Sequence, residues 1–235
     1  MSSSCLETIY SHVSIREYLE EDIPSRDLDK ILKAAQRAPS GWNLQPYTII
    51  VVRDSGKKKK LAAQLGGQDH VANSSVFLVF VVDYAKVLAA TEKQGIRFTP
   101  LLSHFAEALI DIGIAAGWAA LAAETLGYGI TFIAVYEDPC RVADTLGIPR
   151  YAIPVLGLTI GKPRNKPSIR PRQPLEKLID TDSYNNYKEK SRGVLEVYRD
   201  RVEKVFNYIF TSNKYYDKAH RNILKCLAEK GFQTT

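Results

Sequence analysis

Cysteine is scarce in this chain. Cys5, Cys140 and Cys226 are odd in number and far apart, a pattern that predicts neither a disulfide framework nor a zinc site. The four histidines, His12, His70, His104 and His220, have no metal-ligand spacing. GxGxxG is absent, as is GxxxxGK followed by Ser or Thr, so a Rossmann dinucleotide site and a P-loop lose their sequence support. HExxH and GxSxG are missing as well. The opening stretch MSSSCLETIY has no basic region followed by an apolar run; no secretory signal is expected, and the cytoplasm is the default compartment. The most apolar stretch, Phe105 to Ala123, contains Glu107 and Asp111, which argues against a membrane span.

What is present is ordinary for a soluble globular protein: 45% hydrophobic and 25% charged residues in 235 positions. A chain of this size buries roughly 70–75% of its unfolded surface in one core, and no composition break marks a second domain. The unusual quantity is the formal net charge of +6. Residues 162–235 hold 17 Lys and Arg against 9 Asp and Glu, whereas residues 1–161 carry a net −2. A basic surplus suits nucleic acid, a membrane surface or a smaller anionic ligand.

The front two-thirds alternate helical and extended patterns. Ser25 suits a helix N-cap, and Leu28, Ile31, Leu32 and Ala35 share one helical face. Tyr47–Arg53, Val76–Val82, Ile130–Tyr136 and Pro154–Ile160 read as strands. Leu101–Leu126 reads as a long, mostly buried helix whose small residues Gly113, Ala116, Gly117 and Ala120 admit another backbone. His104, at its start, fits a satisfied structural histidine. The run Lys57–Lys60 reads as a solvated helix face. GKPRNKPSIRPRQP follows the fourth strand, with four prolines, five basic residues and no acid; proline excludes a helix interior or central strand there. Two helical stretches, 185–210 and 216–230, finish the chain.

Three polar clusters border apolar segments. In His12-Val13-Ser14-Ile15-Arg16 an extended chain places His12, Ser14 and Arg16 on one face, suited either to a phosphate or ribityl chain or to a solvated edge. Ser40-Gly41-Trp42-Asn43-Leu44-Gln45-Pro46 is either a ligand-facing loop or an ordinary turn with Trp42 packed on the core. Arg170-Pro171-Arg172 carries two guanidinium groups on a stiff extended segment, without the interleaved aromatics that stack on nucleic-acid bases.

Together these clusters resemble the nitroreductase superfamily of flavin enzymes, and in particular its NADPH-preferring branch of major nitroreductases and NADPH–flavin oxidoreductases. His12-x-Ser14-Ile15-Arg16 is similar to the family's H-R-S-I-R element. Gly66-Gly67-Gln68-x-His70-Val71-Ala72, Ala122-Ala123-Glu124-x-Leu126-Gly127-Tyr128-Gly129 and Pro154-Val155-Leu156-Gly157-Leu158-Thr159-Ile160-Gly161-Lys162-Pro163 follow in the family's order, then Arg170-Pro171-Arg172-Gln173-Pro174. Val13 stands where the family has arginine, Ala134-Val135 where it often has Gly-Gly, and Arg170 where it has lysine.

The resemblance implies an α+β nitroreductase-like fold: a central, mostly antiparallel sheet flanked by helices, in an intertwined homodimer that binds FMN non-covalently. The whole chain, residues 1–235, would form one FMN-binding domain, its basic part from 162 wrapping the core or the partner. His12, Arg170 and Arg172 would hold the phosphate, with Val13 in the same element and Ser14 on the phosphate or ribityl chain. Arg16 and Gln68 would meet the pyrimidine edge, and the backbone of Ile133 and Ala134 the ring. Ser40 would pack on the ring, with Trp42 and Asn43 at the substrate mouth and Lys214 or Lys218 toward an NADPH phosphate. The implied activity is ping-pong: NADPH or NADH donates hydride through FMN to a nitroaromatic, quinone, free flavin or metal oxyanion, and no side chain acts as acid or base. Flavin supply to a partner or reductive dehalogenation on the same fold is an alternative. The rival of another class is a basic nucleic-acid-binding protein.

Overall fold

A computed structural model describes residues 5–212 and 215–234. The chain divides into two compact units, one of residues 1–167 and 219–235 and one of residues 168–218.

The first unit is built on four strands, β1 (Tyr47–Val52), β2 (Val76–Asp83), β3 (Gly129–Ala134) and β4 (Ala152–Gly161). They pair antiparallel throughout, in the order β1-β2-β4-β3. The apolar runs predicted these strands to within a few residues. β2 is buried on both faces and its alternation divides the interior. Leu78, Phe80 and Val82 join one core with Leu158 and Ile160; Phe77, Val79 and Val81 join another with Ile133 and Ala152. Each fully buried Phe contributes about 2–3 kcal/mol relative to exposure. Pro154 sits inside β4, opposite Val81, where the register with β2 shifts between Phe80 and Val81. A bulge is where a central strand tolerates proline.

Helices cover the sheet: α1 (Cys5–Tyr10), α2 (Ser25–Gln36), α3 (Ser55–Gln64), α4 (Asp69–Asn73), α5 (Tyr84–Glu92), α6 (Leu102–Thr125) and α7 (Pro139–Leu146). Leu28, Ile31 and Ala35 are the buried face of α2 as expected, but its N-cap is Pro24, not Ser25, and it makes no side-chain capping bond. The long helix α6 is apolar enough and long enough to cross a membrane by length and composition. Its inner residues, among them Phe105, Ala108, Ile112 and Ala116, belong to the core under the sheet. The small residues divide by face: Ala116 and Ala120 are buried, while added methyls at Gly113 and Gly117 would meet nothing within 4 Å. His104 is structural, its Nδ1 accepting the Leu101 N–H at 2.9 Å.

Two expectations need correction. Lys58 is not part of a solvated face: it is 7% exposed, and its ammonium donates to the Ser74 carbonyl. Cys140 and Cys226 form a disulfide with a Cα–Cα distance of 5.4 Å, joining α7 to the C-terminal helix. Their separation of 86 residues hid a pairing that only tertiary folding creates.

The second unit holds α8 (Tyr187–Tyr198), α9 (Val202–Phe206) and a π-helical turn, Asn207–Ser212. The single helix expected over 185–210 is therefore broken. Arg199, with φ 49°, is left-handed and interrupts it. The helix α10 (Tyr215–Glu229) returns the chain to the first unit.

Candidate functional site

The segment His12–Arg16 is fixed by what its apolar residues bury. Val13 and Ile15 form a small core with Tyr18. The Ile15 N–H donates to the Ile130 carbonyl at 2.9 Å. The Ile15 carbonyl accepts from the Tyr18 hydroxyl at 2.8 Å and from the Thr131 hydroxyl. Two glycines of the quoted motifs make room. A methyl on Gly129 would lie 2.6 Å from Ile15 Cγ1, and one on Gly161 2.7 Å from Tyr18 Cδ1. Farther along, Lys162 pairs with Glu21 at 2.7 Å and the Arg164 N–H donates to the Glu17 carbonyl at 2.9 Å. Part of the basic stretch thus clamps the N-terminal segment.

Alternation leaves His12, Ser14 and Arg16 on the other face. Glu124 Oε1 lies 2.7 Å from His12 Nδ1, so a proton on Nδ1 leaves Nε2 for another partner. Ser14 and Arg16 make no side-chain hydrogen bond or ion pair among the described residues. Val13 is buried at 8% exposure. A cavity of about 360 Å³ lies beside this segment, lined by Ser11, Glu124, Tyr128 and Lys166 among others. Arg16 borders a more polar one of about 740 Å³ with Lys58, Asp69 and Arg164.

Gln68 immediately precedes α4 and is half-buried. Two residues on, His70 is buried and its Nε2 has no partner among the described residues. Burial first, and then the charge of Arg16, hold its pKa below the usual value, so it is a neutral neighbour to that guanidinium. Ala134 and Ile133 differ in what their backbones offer. The Ile130 carbonyl points to the outer edge of β3, where it meets Ile15. By strand alternation Ala134 also points outward and Ile133 points into the ladder.

The Ser40–Gln45 loop contains a short 3-10 turn, Gly41–Asn43. Trp42, Asn43 and Gln45 all have positive φ, at 54°, 54° and 50°, a conformation uncommon for side-chain-bearing residues. Trp42 does not pack on the core: it is 94% exposed. The Ser40 hydroxyl accepts the Gln45 N–H at 3.3 Å, and Asp111 Oδ1 accepts the Gly41 N–H at 3.0 Å.

Arg170 and Arg172 belong to the second unit. Arg170 lines a cavity of about 440 Å³ there with Pro171, Tyr198, Arg199 and Arg201. The Arg199-Asp200-Arg201 run escaped notice in the sequence because a helix was expected through it. Lys214 lies outside the described residues.

The Nitroreductase family profile matches residues 9–162 of this chain. The chain belongs to the nitroreductase family. An FMN reductase [NAD(P)H] of Bacillus subtilis (strain 168) is 34% identical over 206 residues, covering 86% of this chain and 82% of the relative. An NADPH-flavin oxidoreductase of Vibrio harveyi is 30% identical, covering 90% and 86%. Among solved structures, the hypothetical oxidoreductase YcnD of B. subtilis superposes with a TM-score of 0.89 at 29% identity, covering 99% of each chain. The NADPH:FMN oxidoreductase of V. harveyi complexed with NAD+ gives 0.85 at 26% identity, covering 99% of this chain and all of that one.

For this nitroreductase, the donor set on the N-terminal segment fits a flavin mononucleotide. A ring nitrogen steered by Glu124, a hydroxyl and a guanidinium without a partner among the described residues lie along one side of this segment, the mixture a phosphorylated polyol and an electron-poor ring edge require.

Proposed function

We propose that this nitroreductase is an FMN-dependent oxidoreductase that takes hydride from NADPH or NADH and reduces nitroaromatics, quinones or free flavin, working as a homodimer. The observation that carries the reading is the face formed by His12, Ser14 and Arg16, held in place by buried Val13 and Ile15 within a family-matched fold. Bound FMN supplies the hydride-accepting N5 and with it the redox chemistry. The chain supplies placement and charge. His12 and Ser14 would hold the phosphate and ribityl chain. Arg16, beside neutral His70, would place its guanidinium charge at the pyrimidine edge, where Gln68 would also hydrogen-bond. Ala134 meets the ring through its outward backbone groups. Ser40, Trp42 and Asn43 border the entrance, and one entrance serving donor and acceptor in turn makes the kinetics ping-pong.

Arg199 and Arg201, which share a cavity with Arg170, are better candidates for the nucleotide phosphates than Lys214. Two guanidinium groups offer the bidentate geometry that phosphate oxygens favour. The homodimer is supported by an apolar outer surface on α6 and α1: Leu102, Leu109, Ile110, Trp118, Ile9 and Tyr10 are all more than a third exposed, a surface that monomers rarely leave bare. The nucleic-acid alternative loses ground because Lys162, Lys190 and Arg192 are paired with carboxylates. The decisive experiment is the absorption spectrum: a yellow protein that bleaches anaerobically on adding NADPH is expected. A colourless protein that FMN does not reconstitute overturns the reading.

A further inference from the structure

We infer that Asp111, a buried carboxylate in the middle of α6, is a positioning residue that sets the entrance loop for donor and acceptor. The inference rests on the function proposed above and deepens it.

Asp111 is 4% exposed and lies on the helix face that looks into the protein. A carboxylate there is costly unless it is hydrogen-bonded. Its side-chain bond goes to the loop: Oδ1 accepts the Gly41 N–H at 3.0 Å. Oδ2 has no partner among the described residues. The buried phenols of Tyr47 and Tyr84 feel the same charge, which adds to burial in pushing their pKa values up.

The loop requires such an anchor. A left-handed conformation is unfavourable for a side-chain-bearing residue because Cβ crowds the following carbonyl oxygen, and Trp42, Asn43 and Gln45 all adopt it. Trp42 contributes almost no burial in return, so its own packing does not fix the turn. Glycine at position 41 also lets the loop lie close against α6. A methyl there would lie 2.1 Å from Glu107 Oε1, one helical turn before Asp111. Glu107 and Asp111 thus both border Gly41, and the Gly41 N–H bonded to Asp111 leaves the next two residues, Trp42 and Asn43, pointing outward.

The test uses FMN-loaded Asp111→Ala and Asp111→Asn proteins, with NADPH and p-benzoquinone as probes. Amide hydrogen exchange across residues 38–46 should accelerate at least about tenfold in D111A, the loss of one charge-assisted bond. KM for both probes should rise about tenfold with kcat within about twofold, the signature of lost binding geometry. Flavin absorbance per chain should be unchanged. D111N keeps an acceptor oxygen and should restore KM to within about twofold of wild type. Unchanged exchange, or faster exchange with unchanged KM, overturns the inference. Should D111A fail to fold, Gly41→Pro removes the donated N–H from the other side and must raise KM alike; unchanged KM there overturns the inference too. A wild-type protein that never binds FMN instead overturns the proposed function, while the exchange measurement still reports on the anchor.

Discussion

The His12–Arg16 segment and the Ser40–Gln45 loop are both short polar stretches beside the sheet, and they hold their shapes by opposite means. In the first, every second residue is buried, and the backbone follows from the packing of Val13 and Ile15. In the second, almost nothing is buried, three residues sit in a disfavoured conformation, and bonds within the loop together with one to a distant helix hold the turn. The first kind of site is encoded locally by alternation. The second depends on a partner about seventy residues away along the chain, which no local pattern announces.

Truncating the packing of the first region gives the largest expected effect. Ile15→Ala should destabilise the protein by about 2–4 kcal/mol, read from denaturant midpoints. A loss below about 1 kcal/mol would mean that the bonds to Ile130 and Thr131, rather than packing, fix the segment.

Alkali should act next. Burial pushes the Tyr18 phenol up to about 12, so the folded protein keeps a proton that an unfolded tyrosine releases near pH 10. Stability is thus complete below pH 10 and falls as pH climbs toward 12, by about 1.4 kcal/mol per unit for this residue. Tyr84 is also pushed up to about 12 and adds to the decline. Removing either phenol should flatten the curve between pH 10 and 12; a flat wild-type curve would refute the assignment.

At neutral pH the same two tyrosines separate the regions. The Tyr18 hydroxyl bonds to the Ile15 carbonyl and shares a hydrogen with Thr159 at 2.7 Å, so Tyr18→Phe should cost about 1–2 kcal/mol. The Tyr84 hydroxyl is buried without a hydrogen-bond partner among the described residues, and Tyr84→Phe should be neutral or stabilising. Thermal melts of the two variants decide this, and equal losses would erase the distinction.

The smallest effect belongs to the loop tip. Trp42→Ala should change stability by less than about 0.5 kcal/mol, while KM for a quinone rises. A larger stability loss would show that Trp42 packs against something in solution.

The same contrast explains what the sequence disclosed. Four continuous or alternating apolar runs located the strands, because β-pairing leaves a period in neighbouring residues. The alternation of Val13 and Ile15 disclosed the polar face of His12, Ser14 and Arg16 for the same reason. Lys58 looked solvated because its neighbours Lys57, Lys59 and Lys60 are. Its burial depends on carbonyls at Ser74 and Ser75 that no helix period reveals. Trp42 was equally open to a packed reading, and the role of Asp111 was invisible in a stretch whose acids served only to argue against a membrane span.

The Cys140–Cys226 bond changes what this polymer is when it is not folded. It closes a covalent ring whose ends are 86 residues apart along the chain, and on the chain-entropy account a ring of that size lowers the entropy of the denatured ensemble by roughly 4–5 kcal/mol. β4 and all of residues 168–218 lie inside that ring, while β1, β2 and β3 lie on one tail outside it. The denatured molecule is a tethered loop with two free arms, and reduction converts it to a linear coil with a wider search.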